Sequence, residues 1–161
     1  MQFFNLKKEI ISIFKYNLAM ITCAESCTGG MLANALTDMP GSSAVFDRGF
    51  VTYSNNAKIE MLGVKEKTLE KSGAVSEEVA QEMARGALKR SLASLAISIT
   101  GIAGPGGSDL KPEGRVCFAL ALKNNRHMEQ TLEFGAIGRT KVREASCKFA
   151  LEMIIKEGQN L

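Results

Sequence analysis

The sequence predicts an α/β fold built on a mixed sheet. Three observations predict it: apolar residues recur at helical spacing in some segments, gather into strand-length runs in others, and the two kinds alternate before a hairpin-like pair of runs near the end. Leu6, Ile10, Ile13 and Phe14 share one face, which gives an amphipathic helix over residues 3–18. Ala19 to Cys23 is a short apolar strand. It leads into Ala24-Glu25-Ser26-Cys27-Thr28-Gly29-Gly30, and Met31, Leu32, Ala35 and Leu36 then predict a helix that ends near Asp38-Met39-Pro40-Gly41. Residues 44–53 read as a second strand, bent at Gly49. A short helix around 55–62 follows. A longer one starts at the N-cap Ser76, with Glu77 and Glu78 at the positive end of its dipole and Val79, Ala80, Met83, Ala84, Ala87 and Leu88 as its buried face. Leu95 to Ile99 is a third strand and opens into the glycine-rich loop Thr100–Gly114. Arg115 to Leu122 and Met128 to Phe134 form a hairpin around Lys123-Asn124-Asn125-Arg126, with Met128, Leu132 and Phe134 pointing inward. A final helix over about 140–156 carries Val142, Ala145, Phe149 and Met153 on one side. No repeat or linker interrupts the chain, so residues 1–161 are expected to form one domain.

Composition narrows the function. With 161 residues, 45% hydrophobic and 23% charged, the chain is long enough to bury a core and too apolar for disorder. The longest apolar run, Val116 to Leu122, falls far short of the roughly 20 residues of a membrane span. Lys7, Lys8 and Glu9 put charge where a secretory signal needs its apolar stretch, so a cytoplasmic protein that avoids membranes is expected. A net charge of +3 with scattered basic residues gives no electrostatic footprint for nucleic acid. Cys23, Cys27, Cys117 and Cys147 read as reduced thiols. Only Cys23 and Cys27 stand close together, and the single histidine, His127, falls at an outward position of a strand. No metal and no other cofactor is therefore expected, and chemistry that depends on histidine is set aside.

Three polar segments are too rich in Gly, Ser and Thr to be plain connectors. Glu25 to Gly30 joins a strand to a helix, a geometry whose free N–H groups suit a phosphate, a carboxylate or an oxyanion. Thr100 to Gly114 follows the C-terminal end of a strand, where ligands sit in α/β sheets, yet it matches no standard nucleotide loop. The third holds Gly41-Ser42-Ser43 before a strand and Tyr53-Ser54-Asn55-Asn56-Ala57-Lys58 after it. A hydrolase without a useful histidine can pair serine with lysine if the lysine is neutral enough to accept a proton. An ordinary lysine, near 10.4, must be brought down by desolvation or neighbouring positive charge. Tyr53 is placed to hydrogen-bond that amine or relay its proton.

Together with Pro40-Gly41-Ser42-Ser43, Gly73-Ala74-Val75-Ser76, Thr100-Gly101-Ile102-Ala103-Gly104-Pro105 and Lys111-Pro112-Glu113-Gly114, these segments occur in the order and approximate spacing of one family. The chain resembles the C-terminal domain family of the competence/damage-inducible protein CinA, over nearly all its length after the first helix. The resemblance implies a three-layer α/β/α sandwich around a mixed, mostly parallel sheet. It implies hydrolysis of the carboxamide of nicotinamide mononucleotide to nicotinate mononucleotide and ammonia, without metal, by a small-molecule enzyme that forms a homodimer. It also implies a Ser/Lys mechanism: Lys58 as general base, Tyr53 tuning it, and either Ser43 or Ser26 as nucleophile, with Ser43 preferred because the N–H groups around Ser26 suit an anion. Thr28, Gly29, Gly30, Thr100 and Gly101 are then substrate-binding, and Arg139, with Arg143 behind it, meets the phosphate.

Two departures stand out. Ile137-Gly138-Arg139 keeps the family's arginine and loses the acid before it, so Arg139 is expected to be less firmly oriented. Ser94 stands where the family tends to have aspartate. The larger N-terminal domain of two-domain relatives is not in this sequence, and its activity is not expected. The competing reading is a non-catalytic ligand- or partner-binding module in competence or DNA-damage responses, for which any polar residue would serve at position 58.

Overall fold

Along Leu95–Gly101 (β3) and Arg115–Leu122 (β4), alternation sorts large side chains from small ones, and this sorting sets the layers. Leu95, Ile97, Ile99, Val116, Phe118, Leu120 and Leu122 point to one face; Ala96, Ala119, Ala121 and Cys117 point to the other. The structure, a computed structural model, describes residues 2–161. Its other strands are β1 (Ile21–Glu25), β2 (Phe46–Val51) and β5 (His127–Glu133). Its helices are α1 (Phe4–Tyr16), α2 (Met31–Thr37), α3 (Asn55–Leu62), α4 (Glu66–Ser72), α5 (Glu77–Lys89) and α6 (Arg139–Gly158). The sheet order is β2-β1-β3-β4-β5: β2, β1 and β3 run parallel, and β4 and β5 are added antiparallel.

The large-residue face is covered by α1, α2 and α6, whose Ile10, Phe14, Leu32, Val142 and Leu151 join the main core. The small-residue face lets α5 lie close to the sheet: Ser98 Oγ donates to the Ala80 carbonyl at 2.5 Å, and Val79, Met83 and Ala87 pack on Ala96. A Cβ on Gly86 would run into the Leu62 carbonyl oxygen, so glycine there permits α5 to cross the end of α3. The result is the expected α/β/α sandwich. No helix among the described residues is long and apolar enough to cross a membrane.

The structure differs from the sequence reading in places. The first strand starts at Ile21 and runs on to Glu25, because pairing with Val51 and Ile99 extends it past the apolar run. α4 was not foreseen. It carries one apolar residue, Leu69, and is held from outside by Glu82, whose carboxylate accepts from Lys65 N at 2.8 Å and Thr68 Oγ1 at 2.7 Å. Lys7 is buried in α1 on an ion pair with Asp38 at 2.5 Å, which periodicity of apolar residues could not reveal. Ala145, Phe149 and Leu88, expected in buried faces, are half-buried, while Ser146 and Gly86 go inside instead.

Candidate active site

Parallel pairing of β1, β2 and β3 brings the segments that follow them to one end of the sheet, the crevice where α/β folds bind ligands. Ser26 is the first residue after β1. Its N–H donates to the Ile99 carbonyl at 2.9 Å, and its carbonyl accepts from Gly29 N at 3.0 Å, closing a tight turn. Gly29 (φ +56°) and Gly30 (φ +96°) take left-handed conformations there, which side chains with a Cβ rarely adopt. Arg143, from α6, grips the turn from outside: Nε donates to Cys27 O at 3.1 Å and Nη2 to Thr28 O at 2.9 Å.

Lys58 reaches Ser26 from α3, the helix that follows β2. Ser54 caps α3, accepting from Ala57 N at 3.0 Å, and starts the helix just after β2, so Lys58 falls one turn in and points back under the sheet end. Its side chain is buried, with Nζ 3.0 Å from Ser26 Oγ, 2.9 Å from the Thr52 carbonyl and 3.4 Å from the Tyr53 carbonyl. No carboxylate pairs with it among the described residues. Burial without a counter-ion pulls the Lys58 amine below the ordinary lysine range, with the neighbouring Cys27 opposing the shift. Cys27 lies beside Ser26, but burial pushes its thiol up to about 12, so it stays protonated at neutral pH.

Ser26, Tyr53, Lys58, Thr100, Gly101 and Arg139 all line one cavity of 340 Å³, a volume within the ordinary range of small-molecule sites. Thr100 is buried and Oγ1 donates to the Ala74 carbonyl at 2.8 Å, which brings Ala74 and Val75 to the wall. Arg139 begins α6 and spans the mouth. Nη1 donates to Gly104 O at 2.8 Å and Nη2 to the Tyr53 hydroxyl at 2.9 Å. Despite Gly138 in place of an acid, Arg139 is therefore oriented, by a loop carbonyl and a phenol.

Four expectations change. Ser43 is exposed in a short 3₁₀ turn (Ser42–Ala44) that precedes β2, so the length of that strand separates it from Lys58, about 20 Å at roughly 3.3 Å per residue. Of the two candidate serines, it is Ser26 and not the preferred Ser43 that lies beside Lys58. The Tyr53 hydroxyl faces Arg139, and only its backbone carbonyl meets Lys58, so its side chain does not orient the amine. Thr28, Gly29 and Gly30 do not reach the cavity wall, and two N–H groups in the first turn of α2 are taken: the Glu25 carboxylate accepts from Leu32 N at 2.9 Å and Ala33 N at 3.0 Å. Arg143 spends its guanidinium on the turn's carbonyls rather than on the cavity. Sequence reasoning missed Asn55, Ala74 and Val75 as lining residues. The Gly73-Ala74-Val75-Ser76 motif was the available signal for the last two.

A sequence model of the CinA C-terminal domain matches residues 4–157. Nicotinamide-nucleotide amidohydrolase PncC of Enterobacter agglomerans is 51% identical over 153 residues, covering 94% of this chain and 93% of its own length. The PncC of Escherichia coli is 49% identical over 150 residues, covering 92% and 90%. A putative competence-damage inducible protein of Caldicellulosiruptor saccharolyticus is 48% identical over 153 residues, but the chain spans only 36% of that longer relative. Among solved structures, the competence/damage inducible protein CihA of Agrobacterium tumefaciens superposes with a TM-score of 0.92 at 51% identity, over 94% of this chain and 93% of its own. With the domain match spanning all but the chain ends and relatives of its own size aligned over at least 90% of both chains, the chain belongs to the CinA C-terminal domain family.

Proposed function

We propose that the protein is a nicotinamide-nucleotide amidohydrolase, converting the carboxamide of nicotinamide mononucleotide to the carboxylate with release of ammonia. The observation that carries the reading is the buried Lys58 amine, pulled down in pKa and 3.0 Å from Ser26 Oγ. Two relatives of matching length that bear the amidohydrolase name support the substrate. A binding module has no use for an uncompensated buried amine, whose desolvation destabilises the fold.

In this mechanism the neutral Lys58 amine donates its N–H groups to the Thr52 and Tyr53 carbonyls, leaving its lone pair toward Ser26. Lys58 takes the serine proton as Oγ bonds to the carboxamide carbon. It returns that proton to the leaving nitrogen, the C–N bond breaks, and ammonia departs from an acyl-enzyme. Water then attacks with Lys58 again as base, and breakage of the Ser26 ester bond frees the carboxylate product. Arg139 at the mouth is the charged partner for the substrate phosphate, with Thr100 and Gly101 shaping the wall. A homodimer, implied by the family resemblance, belongs to the same proposal. The test is ammonia release from nicotinamide mononucleotide by purified protein. No release at any substrate concentration, with the protein folded, would overturn the reading.

A further inference from the structure

We infer that Glu25 is a positioning residue for the serine–lysine pair, tying the start of α2 back to the end of β1 so that Ser26 is held against Lys58. The inference rests on the serine–lysine reading above. Glu25 is wholly buried, the last residue of β1, and directly precedes Ser26. Its two carboxylate oxygens accept separately, Oε1 from Leu32 N at 2.9 Å and Oε2 from Ala33 N at 3.0 Å. The chain thus leaves β1 at Glu25, turns through Ser26 to Gly30, enters α2 and is pinned back to Glu25, so the turn is a closed ring. Within it, no side chain of the turn caps the helix: Gly30 occupies the N-cap position. A buried carboxylate is costly, and no cation pairs with Glu25 among the described residues. A serine or aspartate at the N-cap would satisfy the same N–H groups locally. What the long reach from β1 adds is a fixed distance between strand end and helix start, across the turn that carries Ser26. Arg143 holds the same turn through the Cys27 and Thr28 carbonyls.

The test uses the full chain, with a fluorophosphonate that phosphonylates an activated serine: the Oγ–P bond forms, fluoride leaves and the serine proton passes to Lys58. Glu25→Gln keeps size and removes one of the two acceptors, setting an amide NH₂ against a backbone N–H. The expected result is labelling that still reaches about one per chain, while its rate constant and kcat fall by about 10²-fold and KM stays within a few-fold. Ala33→Pro is the second variant. It deletes the N–H given to Oε2 and no helical bond, because the first bond of the ladder is Asn34 N to Gly30 O. Its rate constant should fall roughly 10-fold, again at full stoichiometry. A merely structural role would lower the labelled fraction and leave the rate constant of the labelled molecules unchanged, and that result overturns the inference. If Glu25→Gln does not fold, Ala33→Pro decides, and a wild-type rate constant there overturns it too. Absence of labelling and turnover in the wild-type protein would instead remove the serine–lysine reading and this inference with it.

Discussion

Two turns place serine beside glycine, Gly41-Ser42-Ser43 and Ser26-Cys27-Thr28-Gly29-Gly30, and they differ chiefly in where they stand relative to a strand. The first precedes β2 and is exposed, with Ser42 Oγ donating to the Thr37 carbonyl at 3.3 Å. The second follows β1 and is almost wholly buried up to Thr28. Because β1 and β2 run parallel, a segment before one strand and a segment after the other lie at opposite ends of the sheet. Lys58 comes after β2 and so shares its end with Ser26. Local composition makes the two turns look alike as sources of a nucleophile; strand direction separates them.

The sharpest way to break that comparison is to remove each hydroxyl. Ser26→Ala should lower ammonia release by at least about 10³-fold, whereas Ser43→Ala should stay within about twofold of wild type. A reversed pattern would return the chemistry to the first turn. Lys58→Met should cost about 10²–10⁴-fold, and Lys58→Arg should fail to restore activity because a permanent cation accepts no proton. The pH profile carries the sign. Since the Lys58 amine lies below the ordinary lysine range, kcat/KM should climb with pH and level off before the usual value near 10.4. Smaller effects belong at the mouth. Arg139→Ala should raise KM for the mononucleotide roughly 10- to 150-fold, as expected for a charge-assisted contact of about 1.5–3 kcal/mol, while the riboside, lacking phosphate, should be nearly indifferent. Equal losses on both would make Arg139 a prop for Tyr53 and Gly104. Smallest of all, Tyr53→Phe frees Arg139 from the phenol but leaves the Tyr53 carbonyl on Lys58, so KM should shift a few-fold and kcat little. A large fall in kcat would show the hydroxyl acting on the amine after all.

Sequence legibility followed the range of the interactions. Helix faces such as that of Val79, Ala80, Met83 and Ala84 come from periodicity, a local property, and they are buried as read. Lys58 stands out only through the Tyr53-Ser54-Asn55-Asn56-Ala57-Lys58 motif and the family resemblance it carries, since spacing alone reads it as an exposed charge on a helix. What could not be read is whatever depends on contacts between distant segments. The 32-residue step from Ser26 to Lys58 and the 86-residue step from Tyr53 to Arg139 exist only once the sheet is assembled. Side-chain reach hides shorter links too: local geometry supplies free N–H groups at a helix start, and the Glu25 carboxylate, seven and eight residues upstream, takes those of Leu32 and Ala33.

The buried amine of Lys58 also has a thermodynamic meaning for the whole molecule. Its pKa is lower folded than unfolded, so between the two values the unfolded chain binds the extra proton and stability rises with pH. Below the folded value the penalty is fully developed, and above about 10.4 it vanishes. Folding at intermediate pH therefore expels a proton from this side chain. Replacing Lys58 by methionine, which fills the space without a charge, removes that linkage and should raise the melting temperature while flattening its pH dependence across the window. The chain keeps this buried lysine at a standing cost to its own stability, the trade expected if function and fold compete for one residue.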